Sequence, residues 1–115
     1  MKVIISILLF SLLGSCTGHA RFSDSEISKL VLACGELLSV SEFGDLEERR
    51  WPEPLDQFNP KRIYVRADGS YIVLKTLFVE ESGVFCARKQ GSYNESGDPS
   101  YKMLSDDIYT YQLLS

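Results

Sequence analysis

The sequence predicts an α+β domain, with one amino-terminal amphipathic helix packed on a small antiparallel sheet made of a three-stranded meander and a carboxyl-terminal strand. Three observations carry that prediction. Residues 24–40 repeat apolar side chains at helical spacing, residues 63–88 hold three β-branched and aromatic runs separated by turn residues, and residues 108–114 alternate with a period of two.

The helix opens at Ser23-Asp24-Ser25-Glu26, a capping box in which the Ser23 hydroxyl and the Glu26 carboxylate each meet a backbone amide left unpaired by the first turn. Behind it Ile27, Leu30, Val31, Cys34, Leu37 and Leu38 recur at steps of three and four, giving one apolar stripe from about Asp24 to about Val40. Gly35 interrupts the run, and a glycine there weakens a helix by about 1 kcal/mol relative to alanine. The expected compensation is the close approach of another backbone beside Cys34.

From Ser41 to Pro60 the periodicity stops. Glu42, Asp45, Glu47, Glu48, Glu53 and Asp56 crowd around Arg49-Arg50, while Pro52, Pro54 and Pro60 exclude a regular helix over the later part. The stretch reads as a long surface connection with one helical turn near Asp45 to Arg50. Connections of this length in compact domains are either functional or poorly ordered. This one holds the only tryptophan, in Arg50-Trp51-Pro52-Glu53-Pro54-Leu55. The favoured role is structural, with Trp51, Leu55 and Phe58 pinning the loop to the domain. The other is a partner-binding patch of Glu47, Glu48, Arg50 and Trp51, because Trp and Arg are enriched at binding hot spots.

Ile63 to Ala67 and Tyr71 to Val79 read as two strands of a hairpin, with Asp68-Gly69 as a type I′ turn that sets Val65 opposite Ile72 and Ile63 opposite Leu74. A third strand, Val84 to Arg88, returns through Glu80-Glu81-Ser82-Gly83. The middle strand is apolar on both faces, so it is expected to be central and covered on both sides. After a polar stretch from Gly91 to Ser100 come Tyr101-Lys102-Met103-Leu104 and a closing strand in which Ile108, Thr110 and Gln112 alternate with Tyr109, Tyr111 and Leu113. Asn94-Glu95-Ser96 matches a glycosylation acceptor by chance.

The amino terminus is of another kind. Lys2 precedes an apolar run from Val3 to Leu13, the charged-then-apolar order of an export signal, and the run is shorter than the roughly 20 residues needed to span a bilayer. It ends in Leu13-Gly14-Ser15-Cys16, which resembles the lipobox of bacterial lipoproteins, a family defined by its signal and not by its fold. The resemblance implies cleavage before Cys16, with diacylglycerol on its thiol and an acyl chain such as palmitate on its freed amine. Residues 1–15 are then a removed signal peptide, 16–22 a lipidated tether and 23–115 a single domain. Gly18-His19-Ala20 offers the alternative of an ordinary secretory cut after Ala20, which releases a soluble protein without Cys16.

The resemblance also allots the cysteines. With Cys16 taken by lipid, Cys34 and Cys86 remain as an even pair in an oxidising compartment, and a disulfide is the economical assignment, with two buried free thiols as the alternative. A cut after Ala20 leaves the same pair.

Composition narrows the partners. The chain has 12 Lys and Arg against 16 Asp and Glu, and the leader removes one Lys and no acid, leaving a mature charge of about −5. That excludes a nucleic-acid footprint and gives no polybasic patch for anionic lipid, so the membrane is a partner through the lipid anchor alone. The only histidine, His19, stands in the tether, where nothing orients it toward a nucleophile. Zinc is not expected, since Cys34 and Cys86 lack further nitrogen or sulfur ligands at a sensible spacing. No phosphate loop, dinucleotide fingerprint or calcium loop is present, so no cofactor is expected beyond the covalent lipid. The acid pairs Glu80-Glu81 and Asp106-Asp107 are expected to face solvent at turns, so the chain is not expected to be an enzyme.

The expected function is a lipid-anchored protein of the bacterial cell envelope, on the outer membrane facing the periplasm. It would act as a protein-interaction module, as periplasmic inhibitors and immunity proteins do, and its acidity suits a basic envelope partner. The alternatives are an accessory envelope lipoprotein without a tight partner, and the secreted soluble protein noted above.

Overall fold

A computed structural model describes residues 20–89, 91 and 93–114. Residues 1–19, which hold the expected signal peptide, Cys16 and the first part of the expected tether, lie outside the described residues. The domain is α+β, with helix α1 (Asp24–Leu37) on one antiparallel sheet of six strands: β1 (Gly44–Asp45), β2 (Arg62–Arg66), β3 (Gly69–Leu77), β4 (Glu80–Ala87), β5 (Ser100–Ser105) and β6 (Ile108–Leu113). Their order is β1-β2-β3-β4-β6-β5, which corrects the expected four-stranded sheet. The two additional strands lie at the edges. β1 is only two residues long, and β5 exposes Lys102 and Met103 side by side, so neither carries the alternation that marks a half-buried strand.

Ser23 and Glu26 form the capping box: the Glu26 N–H donates to Ser23 Oγ, and the Ser23 N–H donates to Glu26 Oε1 at 2.8 Å. These bonds hold the Glu26 carboxyl below its usual range, the backbone bond from Ser23 being the largest cause. The buried face of α1 is Leu30, Ala33, Cys34 and Leu37. Val31 and Leu38, expected in the stripe, are exposed because they stand about a quarter turn from its centre. The helix ends at Leu37, three residues before Val40, where Ser39 Oγ donates to Glu36 O and the Val40 N–H to Leu37 O.

Gly35 corrects another expectation. A Cβ built there meets nothing within 4 Å, so no backbone approaches it. The glycine therefore weakens the helix without serving the packing. Gly35→Ala is expected to stabilise the domain by about 1 kcal/mol, read as a raised urea midpoint with unchanged slope.

The β2–β3 turn is Ala67-Asp68, one residue earlier than expected, so Ile63 lies opposite Ile72 and Val65 opposite Ser70. The register moves by two, which keeps every side chain on its expected face. Gly69 starts β3 because a Cβ there would sit 2.1 Å from the Cys86 carbonyl oxygen. The next turn is also displaced. β3 stops at Leu77, Phe78-Val79 form a two-residue turn, and Glu80 to Gly83, expected to be the turn, belong to β4. Gly83 fixes this register: it lies opposite Val73 at a bulge, where a Cβ would approach the Ile72 carbonyl oxygen to 1.9 Å.

β3 is central, as expected, with β4 beside it, and both are covered on both faces over residues 69–73 and 83–87. On one face Leu30 and Leu37 of α1, with Leu55 from the loop, pack against Ile63, Ile72, Val84 and Ile108. The disulfide joins Cys34 of α1 to Cys86 of β4 inside this layer, with the Cα atoms 5.5 Å apart. Arg88 Nη2 donates to the Val40 carbonyl at 2.9 Å, fixing the chain just beyond α1 to the same end of the sheet. The other face is aromatic, with Tyr64, Tyr71, Phe85, Tyr109 and Tyr111 buried together and Tyr93 and Tyr101 packed against them. No helix among the described residues is long and apolar enough to cross a membrane.

Candidate functional site

The segment between α1 and β2 is ordered by a few backbone and core contacts. The Leu46 N–H donates to the Ile63 carbonyl, and Arg62 holds Asp45 through a two-bond fork, Nε to Oδ2 at 2.8 Å and Nη2 to Oδ1 at 2.6 Å. That fork keeps the Asp45 carboxyl below its usual range. A 3₁₀ turn follows at Glu48–Arg50, shorter than the expected Asp45 to Arg50, and a second spans Glu53–Phe58 with Pro54 in its first turn. A proline there lacks only an N–H that the first turn would leave unpaired. Asn59 ends the second turn at φ 48°, a left-handed conformation that asparagine adopts more readily than most residues. The Lys61 N–H then joins the sheet through the Val73 carbonyl.

Leu55 is fully buried, and Trp51 and Phe58 pack against the helix-side core. The Trp51 indole N–H donates to the Leu46 carbonyl at 3.0 Å. The three side chains hold the loop to the domain, in the favoured role.

Trp51 is nevertheless only half-buried. It forms part of a surface cavity of about 530 Å³ together with Glu48, Asp56, Asn59, Pro60 and Lys61. Two carboxylates and an indole against the single cation Lys61 leave the lining net acidic, which suits an organic cation. The ring attracts positive charge through its quadrupole, and the acids receive charge-assisted hydrogen bonds.

Of the four residues read as a binding patch, the structure brings Glu48 and Trp51 together at this groove. Glu47 and Arg50 do not line it: Glu47 accepts from Arg49 Nε at 2.7 Å, and Arg50 pairs with Glu42 at 3.4 Å. Asp56, Asn59 and Lys61 were not singled out in the sequence. Asp56 is placed by the 3₁₀ turn that follows Trp51, and Lys61 by the left-handed turn at Asn59, of which the Asn59-Pro60 pair was the only trace.

The acid pairs behave differently from one another. Asp106 and Asp107 form the exposed β5–β6 turn. Glu81 points into the aromatic layer, where its Oε2 accepts from the Tyr64 hydroxyl at 2.6 Å and the Tyr111 hydroxyl at 2.8 Å. Tyr71 donates to Asp68 Oδ2, so its single proton is spent and the 3.0 Å contact with Tyr101 has Tyr101 as donor. Burial raises the pKa of Tyr64, Tyr71 and Tyr111 well above the usual phenol value, and the hydrogen bonds they donate to Glu81 and Asp68 add to the shift. The network satisfies the polar ends of an otherwise apolar layer and leaves Glu81 Oε2 already engaged by two donors.

Among the described residues no group of three or more His, Cys, Asp or Glu side chains is placed to hold a metal ion. No family model, curated protein or solved structure matches this chain.

Proposed function

We propose that the protein is an exported, lipid-anchored module of the bacterial cell envelope that binds a basic protein partner, as an inhibitor or immunity protein does. The anchor is Cys16 with its acyl chains, and the disulfide-tied domain is the recognition unit. The observation that carries the reading is the groove lined by Glu48, Asp56 and the half-buried Trp51, in which two carboxylates outnumber the one cation, Lys61. A lysine or arginine side chain entering it meets an aromatic surface and two carboxylates, and the mature chain's net acidity draws a basic partner toward the surface. Trp51 is held by its bond to the Leu46 carbonyl, so little side-chain freedom is lost on binding.

The test is capture of envelope proteins by the mature protein at low salt, followed by binding measurements with the purified partner. Glu48→Lys with Asp56→Lys is expected to weaken binding at least about tenfold and to flatten its salt dependence, because both charges lie at the contact. These acids are at the surface, so the variant's unfolding curve is expected to match the native one. A partner that is not basic, or whose affinity is indifferent to the double reversal, removes the groove from the account.

A further inference from the structure

The β3–β4 hairpin carries a feature that neither the fold nor the groove explains. Its tip is Leu77-Phe78-Val79, with Phe78 98% exposed, Val79 69% and Leu77 51%. Leu114, 53% exposed, follows the end of β6 beside it. Phe78 also adopts φ 55°, a left-handed conformation in which glycine or asparagine is at ease and a bulky side chain is not. A two-residue hairpin with positive φ only at its first turn residue ordinarily takes glycine there. Folding is thus served worse by Phe78 than by a smaller residue, and the phenyl ring buries nothing within the domain. Strain of this kind at an exposed apolar tip points to a contact outside the chain.

The topology indicates which contact. β2 begins at Arg62, opposite Val73, so the hairpin continues past its neighbour on that side and the tip is the far end of the sheet. Helix α1 is tied by Cys34 to Cys86, and the chain just beyond it by Val40 to Arg88, both at the opposite end. The amino-terminal end of α1 lies nearer the tip: Phe22 lines a cavity with Lys102 and Thr110, and Thr110 pairs with Val84, two residues closer to the tip than Cys86. Cys16 precedes Phe22 by six residues, a chain length of at most roughly 20 Å. From the Val84 row to Glu80 at the base of the turn is four residues of strand, about 13 Å. An acyl chain on Cys16 therefore reaches the plane of the tip. Thr76 to Val79 carry no charge, so nothing charged must leave water if the tip enters an apolar medium.

We infer that the Leu77-Phe78-Val79 tip is a second membrane contact, inserting among the lipid acyl chains beside the Cys16 anchor and fixing the domain's orientation on the bilayer. The inference rests on the proposed lipid anchor. With two contacts the domain stands at a set angle to the membrane, and the Trp51 groove is presented in a set direction.

The experiment uses the full mature chain in vesicles of phosphatidylethanolamine and phosphatidylglycerol, with and without brominated acyl chains. Phe78→Trp and, separately, Val79→Trp place a fluorescent reporter at the tip, with Trp51 of the native protein as the reference. The expected result is a blue shift of the added emission on vesicle binding and loss of most of it to acyl-chain bromine, with native Trp51 emission nearly unchanged. The second position lies outside the left-handed residue and guards against a local change at 78. A chain that carries acyl mass and floats with the vesicles, yet keeps both reporters unquenched and open to an aqueous quencher, overturns the tip contact alone and leaves a protein pocket as the occupant. A mature chain without acyl mass overturns the anchor and, with it, this inference.

Discussion

The Cys34→Ala, Cys86→Ala double variant is expected to be about 4 kcal/mol less stable than the native domain. The bond closes a sequence separation of 52 residues, and restriction of the unfolded chain grows with that length. Its position makes the effect local as well. Apart from apolar contacts, α1 is fixed to the sheet by this bond and, just past its end, by the Arg88 to Val40 hydrogen bond. Both cysteines are buried, so the two alanines also leave a small void. The check is urea unfolding of the variant and the native protein. The midpoint should fall, and the slope should rise because an unfolded chain without the crosslink exposes more surface. A variant within about 1 kcal/mol of the native protein would show that the layers hold without the bond. Against a typical total of about 5 to 15 kcal/mol, the loss leaves a small domain close to its limit.

Legibility in the sequence followed the physical range of each signal. The capping box is a four-residue chemical pattern, and it is present with both of its bonds. The two faces of β2, β3, β4 and β6 follow side-chain alternation, a local property, and they are as expected even where the register is not. Both displaced turns are set by contacts between strands. Gly69 and Gly83 lie where carbonyl oxygens of neighbouring strands, Cys86 and Ile72, leave no room for a Cβ, and local turn propensity contains no trace of that. The turn at Phe78-Val79 was hidden for the same reason: two of the most strand-favouring residue types occupy it. Gly35 shows the converse error, a glycine assigned a packing role that the fold does not give it. In the groove, Trp51 was legible as the only tryptophan and Glu48 and Asp56 as two of many acids, whereas Lys61 joins them only through the backbone reversal at Asn59.

The aromatic face gives the domain a pH limit on the alkaline side. Above about pH 10 it is expected to unfold cooperatively, with tyrosine ionisation and loss of structure in a single transition. Tyr64 and Tyr111 are kept protonated first by burial and then by their hydrogen bonds to Glu81, and Tyr71 first by burial and then by the bond it donates to Asp68. Tyr93 and Tyr101 are shifted in the same direction. The folded chain therefore retains phenol protons that the unfolded chain releases near pH 10. The associated stability is fully present below that pH and declines as pH rises toward the higher folded values. Three such tyrosines lower stability by roughly 4 kcal/mol per pH unit, at about 1.4 kcal/mol each. A small domain is exhausted within about one to four units. Tyrosinate absorbance and circular dichroism followed together should change in one step. Tyr111→Phe removes one titrating proton and leaves Tyr64 as the phenol donor to Glu81 Oε2, so the fall of stability with pH should become about one third shallower. Complete tyrosine ionisation near pH 10 with native dichroism retained would mean that the layer is open to water. In that case the Glu81 network would be a set of exposed contacts and not the polar seal of a second core.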